Sequence, residues 1–160
     1  MSKLDKILKL GHPKLYEISE PIVQEDIKSL NKIVEELSDI LKEFKTTYGA
    51  GRAIAAPQIG VMKRLIYMNI TESIILINPE LFYLSNEKME VWDDCMCFPN
   101  LLVKVQRHKQ CKLKYFNLDW KERVWELEDD LSELLQHEVD HLNGILATQR
   151  AIDDKSFAWK

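Results

Sequence analysis

His137, Glu138 and His141 form a His-Glu-x-x-His run within Gln136-His137-Glu138-Val139-Asp140-His141-Leu142-Asn143-Gly144. If this stretch is helical, the two histidines lie one turn apart on one face, where both imidazoles can reach a single metal ion. Glu138, one position on, can reach a water molecule bound to that ion. The alternative is a pair of core histidines on an amphipathic helix. Glu at the second position, together with the helix signals around the run, favours the metal site. A third ligand is needed. The slot used by extended versions of the motif is Ala147, and no His or Glu follows His141. Asp153 and Asp154 are the acidic residues left downstream, so the search turns upstream, to His12, His108, Cys95, Cys97, Cys111 and the carboxylates.

The helix that must hold the histidines is marked by Leu131, Leu134, Leu135, Val139 and Leu142 at helical spacing. Asp130 and Glu133 read as a capping pair at its start, and Gly144 as its stop. Residues 24–44 carry Ile27, Leu30, Val34, Leu37, Ile40, Leu41 and Phe44 at a 3.6-residue period, with Lys and Glu on the other faces. This is a long amphipathic helix whose role is packing. Residues 8–22, with Gly11, Pro13 and Pro21, form an irregular lead-in.

Residues 49–60, from Gly49 through Ala55-Ala56-Pro57-Gln58 to Gly60, are rich in small side chains but lack a phosphate-loop ending. Small residues let another backbone approach, so an extended strand here can pair with a bound peptide; the simpler reading is a turn leading into a strand. Residues 65–70 and 74–78 read as strands around a polar break at 71–73. Val103 and Val105, then Cys111, Leu113 and Tyr115, alternate with polar residues as half-buried strands do. A turn at 117–121 and a strand at 124–127 lead into the histidine helix. The expected fold is α+β: largely antiparallel sheets packed around a central metal-binding helix, with a long N-terminal amphipathic helix.

With 160 residues, 46% hydrophobic and 30% charged, the chain reads as a single globular domain over residues 1–160. A net charge of -4 gives no electrostatic case for nucleic-acid binding. No apolar run has membrane-spanning length, and the N-terminus lacks the apolar core of a secretory signal, so a cytoplasmic, bacterial-type setting is expected. Three cysteines suit core or ligand roles better than a disulfide framework.

Three stretches together resemble the peptide deformylases. Ala55-Ala56-Pro57-Gln58-Ile59-Gly60 matches the family's small-residue motif. Asp93-Asp94-Cys95-Met96-Cys97-Phe98-Pro99 is similar to its Glu-Gly-Cys-Leu-Ser motif with the Pro that follows. Gln136 to Gly144 matches Gln-His-Glu-x-Asp-His-Leu-x-Gly throughout. The order and spacing are also the family's. The resemblance implies that Cys95 joins His137 and His141 as the ligand trio for one divalent ion, Fe²⁺ in the cell, with Zn²⁺ or Ni²⁺ also accepted. It implies N-formylmethionyl peptides as substrate, transient ribosome contact, and hydroxide generated at the metal as the nucleophile. Glu138 then serves as proton carrier, with the Gln58 amide and the Met96 N–H as oxyanion donors.

Gly51, Ala53 and Glu133 fall where the family meets its substrate. Several positions depart from the pattern. Asp94 replaces Gly, placing a carboxylate beside the ligand or in solvent, and Asp93 replaces Glu. Cys97 replaces Ser, best read as a buried substitute for the hydroxyl. Ala53 replaces Gly, a strain only if φ is positive there. Glu133 stands where an apolar residue is usual, and is read here as a first-turn capping residue in preference to a pocket carboxylate. The long C-terminal helix of many bacterial members is not expected, because the chain reads as irregular after the histidine helix.

Overall fold

The structure is a computed structural model that describes residues 2–160. The amphipathic segment forms a 3-10 turn, Gln24–Ser29, that runs into helix α1, Leu30–Tyr48. Its periodic residues Leu30, Leu37, Ile40, Leu41 and Phe44 are buried, as the 3.6 spacing requires. The helix continues one turn past Phe44 and ends where Gly49 adopts the left-handed conformation at φ 75°.

Among the described residues, eight strands follow the expected antiparallel plan. Strands β1 (Ala53–Ala55), β2 (Leu65–Asn69), β3 (Ser73–Phe82), β6 (Gln110–Phe116) and β7 (Glu122–Glu128) form one sheet in the order β1-β2-β3-β6-β7. A second sheet has the order β4-β5-β8, from Lys88–Asp93, Leu101–His108 and Phe157–Trp159. Every strand pair is antiparallel. Among the described residues β1 is therefore an edge strand, with one side paired to β2 and the other free of strand pairing.

Strand β3 runs beyond Asn78, where the strand expected over residues 74–78 ends, and through Pro79 to Phe82. The register slips between Ile77 and Glu80, and Asn78 takes φ 50°. This bulge absorbs the proline without ending the sheet. Asn78 also exchanges two 2.8 Å hydrogen bonds with the backbone of Ile22, so the bulge anchors the lead-in. The end of the chain is more regular than its sequence suggests: a 3-10 turn, Ala147–Arg150, precedes β8.

Helix α2, Asp130–Leu142, lies between the sheets and packs against β1, β2, β3, β5 and β7. All residues from Leu134 to Leu142 are buried, polar ones included. The expected Asp130–Glu133 capping box is absent. Asp129 occupies the cap position at φ 51° with no side-chain cap bond, and its carbonyl accepts from the Glu133 N–H at 2.9 Å. Asp130 and Glu133 remain in the first turn, where the helix dipole favours acids, but the Glu133 carboxylate is free to point elsewhere.

The C-terminal end of α2 is closed by the lead-in. Ser19 N–H and the Arg64 guanidinium both donate to the Leu142 carbonyl at 2.9 Å. Gly144, at φ 73°, passes so close to the Tyr16 backbone that a Cβ would sit 2.5 Å from its carbonyl oxygen. Gly144→Ala therefore adds a clash to left-handed strain. It should cost about 2 kcal/mol or more, read as a lowered urea midpoint with an unchanged m-value.

Candidate metal centre and cleft

Two elements bring the trio together. Helical spacing puts His137 and His141 on one face of α2, with Nε2 atoms 3.2 Å apart. The turn after β4 brings Cys95 Sγ to 3.3 Å from His141 Nε2. All three donor atoms lie within 4.8 Å of one another, and all three residues are buried. A tetrahedral ion with nitrogen at about 2.0 Å and sulfur at about 2.3 Å holds such donors about 3.3 to 3.6 Å apart. The trio thus fits a divalent ion with little rearrangement.

The other upstream candidates are occupied elsewhere. His12 Nδ1 accepts from the Lys14 N–H, His108 Nδ1 lies 2.7 Å from the Ser85 carbonyl, and Cys111 lies against Ser132. Cys97 is buried behind the trio, and its Sγ accepts from Gln58 Nε2 at 3.7 Å. This is the contact expected of a sulfur replacing a hydroxyl.

Gln58 sits in a 3-10 turn, Ala56–Ile59, directly after β1. Its Oε1 accepts from the Ala55 N–H at 2.8 Å, which turns the amide nitrogen toward the sulfurs, 3.7 Å from Cys95 Sγ. The backbone of this region is braced from the lead-in: Leu8 N–H donates to the Gln58 carbonyl and Leu10 N–H to the Cys97 carbonyl. The Met96 N–H donates to no other group among the described residues, so it remains open for a ligand.

Burial and charge together set the protonation. Burial opposes charging His137, yet the Asp93 carboxylate, 3.0 Å from its Nδ1, prevails and raises its pKa to about 9. Burial likewise opposes the Asp93 charge, but His137 and Arg107 hold its pKa at about 2. Burial raises Glu138 to about 7, raises Cys95, and, with His137 beside it, lowers His141. Binding of a divalent ion displaces these protons, because thiolate and neutral imidazole are the ligating forms. Glu138 Oε2 and His141 Nδ1 have no hydrogen-bond partner among the described residues.

Behind the trio lies a charge chain that sequence reasoning missed. Arg107 donates from Nη2 to Asp93 at 2.7 Å and from Nη1 to Asp140 at 2.8 Å. Arg150 closes on Asp140 through Nε at 2.6 Å and Nη2 at 2.8 Å. The signal for Arg107 was present: it continues the inward phase of Val103 and Val105 on β5, where a buried cation demands anionic partners.

A cleft of about 440 Å³ opens in front of the trio. Gly51, Ala53, Gln58, Cys95, Met96, Glu133, His137 and Glu138 all line it, so eight of the nine residues singled out in the sequence share one cavity; His141 sits behind. Ala53 is ordinary strand in register with Met68 and outside the positive-φ residues, so its only consequence is an added methyl group. Asp94 is tied at 2.7 Å to Lys160 Nζ, which offsets its charge beside the ligand. Glu133 is half-buried in the cleft wall, and burial first, then Asp93, raises its pKa. Glu133 thus sits in the first turn as expected but lines the cleft without capping the helix.

An α+β fold carrying a Cys/His/His cluster with an adjacent Glu defines a metal-hydrolase type of centre. A family model for polypeptide deformylase matches residues 4–157. The peptide deformylase of Carboxydothermus hydrogenoformans is 37% identical over 147 residues, covering 91% of this chain and 92% of that protein. Peptide deformylase 2 of Clostridium perfringens is 34% identical over 149 residues, covering 91% and 92%. The crystal structure of the Thermotoga maritima peptide deformylase superposes with a TM-score of 0.84 at 30% identity, covering 92% of this chain and 97% of that one. This chain belongs to the polypeptide deformylase family.

Two outcomes test the charge chain. Arg107→Met leaves buried Asp93 with His137 alone and Asp140 with Arg150 alone, and should destabilise the protein by about 3–5 kcal/mol, measured by urea unfolding. Asp93→Asn keeps the shape but weakens the hold on His137. It should lower ion affinity about 10- to 100-fold, measured by competition with a chelator.

Proposed function

We propose that this chain removes the formyl group from the N-terminus of nascent formylmethionyl peptides, using one divalent ion held by Cys95, His137 and His141. The observation that carries the reading is the position of Glu138 and Gln58: a carboxylate without a partner and an oriented amide flank one trio at the end of an open strand edge. When bound, the ion supplies Lewis acidity and a water of lowered pKa. Fe²⁺ is the ion expected in the cell, with Zn²⁺ and Ni²⁺ as alternatives, since the donor set suits all three.

The substrate backbone pairs along the free edge of β1, where Gly51 and Ala53 leave room for a second chain. This brings the formyl group to the floor of the cleft. The Gln58 amide and the Met96 N–H donate to the formyl oxygen as negative charge develops there, and each such donor is worth about 3 kcal/mol in a transition state. Glu138 takes a proton from the attacking water and passes it to the peptide nitrogen as the C–N bond breaks. The products are formate and a free N-terminus. Buried Asp93 keeps the His137 ring oriented throughout, through Nδ1.

A cytoplasmic location and transient contact with the ribosome accompany a nascent-chain substrate. No helix among the described residues is long and apolar enough to cross a membrane.

The test is formate release from formyl-Met-Ala-Ser by protein purified anaerobically and loaded with Fe²⁺, Zn²⁺ or Ni²⁺ in parallel. Release is expected, and Glu138→Ala should lower it about 10²- to 10⁴-fold while binding of one ion per chain persists. Cys95→Ala should lose the ion itself. Stoichiometric ion binding without formate release would reject the reading.

A further inference from the structure

The cleft beside the trio is charged where a thioether side chain would want apolar walls. Its acids are not equivalent. Asp93 is committed to Arg107 and His137, Asp94 to Lys160, and Glu138, though unpartnered, lies at the trio itself as the proposed proton carrier. The Glu133 side chain, by contrast, makes no ion pair or hydrogen bond among the described residues. It is half-buried one helical turn before His137, in the wall that also holds Leu134, His137 and Glu138. Of the basic residues lining the cleft, Arg52 acts on Glu133 through space without reaching contact distance and is itself exposed. A partly desolvated carboxylate without a partner gains from any donor that enters, whereas an exposed cation gains little from an anion.

We propose that Glu133 determines the first-side-chain preference of this deformylase, widening it from a thioether toward side chains that carry a nitrogen donor: an ammonium, a guanidinium or a carboxamide. This rests on the deformylase reading of the cleft. The formyl carbon must lie at the trio, so the side chain of the formylated residue is the part of the substrate that falls one helical turn away, against Glu133. A thioether placed there leaves the carboxylate desolvated and unpaired, whereas a donor restores its hydrogen bonds. Site discrimination by a hydrogen bond of this kind is larger than that of a methylene.

The experiment compares formyl-Met-Ala-Ser, formyl-Lys-Ala-Ser and formyl-Gln-Ala-Ser on the metal-loaded wild type, Glu133→Gln and Glu133→Leu, with thermal melts to confirm folding. The Lys-to-Met ratio of kcat/KM should fall about tenfold or more in Glu133→Leu, through KM for the lysyl peptide. Glu133→Gln should lose the lysyl preference and retain the glutaminyl one. Calorimetry of the same peptides with metal-free protein gives a second readout: formyl-Lys-Ala-Ser should bind wild type more tightly than Glu133→Leu. Ratios and affinities that do not change with residue 133 would overturn the proposal. Glu133-dependent binding without formate release would keep it and reject the deformylase reading instead.

Discussion

Arg107 is the side chain on which the geometry of the site depends. It is buried between two carboxylates from different elements, Asp93 at the end of β4 and Asp140 on α2. Cys95 follows Asp93 by two residues, and Asp140 lies between the two histidines. The guanidinium therefore fixes the distance between the loop that offers sulfur and the helix that offers both nitrogens. A planar fork with several donors can bridge two acceptors in this way, whereas a lysine ammonium could not hold both in one plane. Desolvating such a chain is costly, and hydrophobic residues of equal volume could be as stable. Its value lies in position: through Asp93 it also sets the orientation of His137.

The same constraint explains why α2 tolerates so many buried polar groups. Each finds a partner on a neighbouring element or faces the cleft. Gln136 donates to the His108 carbonyl and accepts from the His108 N–H, which clamps the helix to the β5–β6 turn. Arg64 and Ser19 satisfy the Leu142 carbonyl. The partnerless atoms, Glu138 Oε2 and His141 Nδ1, belong to the motif itself. Packing and polar pairing thus hold the helix in place, and of these two atoms the one open toward the cleft belongs to Glu138, since His141 faces the trio through Nε2.

How much of this could be read from the residues varied with range. Local periodicity revealed α1, α2 and most of the strands, because burial on one face leaves a pattern in sequence. It missed β4, where exposed Trp92 breaks the expected alternation, and β8, which is three residues long. The ligand trio was legible through its motifs, and eight of nine candidate residues share the cleft. The capping expectation for Glu133 failed because the helix starts at Asp130, the residue expected to cap it, and Asp129 at the cap position, with φ 51°, makes no side-chain cap bond. Arg150, Lys160 and the Arg107 partners were illegible, since ion pairs over tens of residues carry no periodic signature.

The departures from the family pattern are best understood by what surrounds each of them. Asp94 would be repulsive beside a developing oxyanion, but Lys160 arrives from β8 in the same cleft and offsets it. Cys97 replaces an oxygen by a larger, weaker acceptor, and Gln58 still reaches it because its amide is fixed from the other side by Ala55. Ala53 adds a methyl group on a strand whose dihedral angles accept it. For Asp94 and Cys97 a partner elsewhere in the fold absorbs the change, and for Ala53 the strand itself does. Glu133 is the exception: among the described residues no side chain pairs with it, and its cost in desolvation persists in the free protein. Among these departures Glu133 is the one left uncompensated on a cleft wall, and from that position the proposed pairing with a donor on the substrate follows.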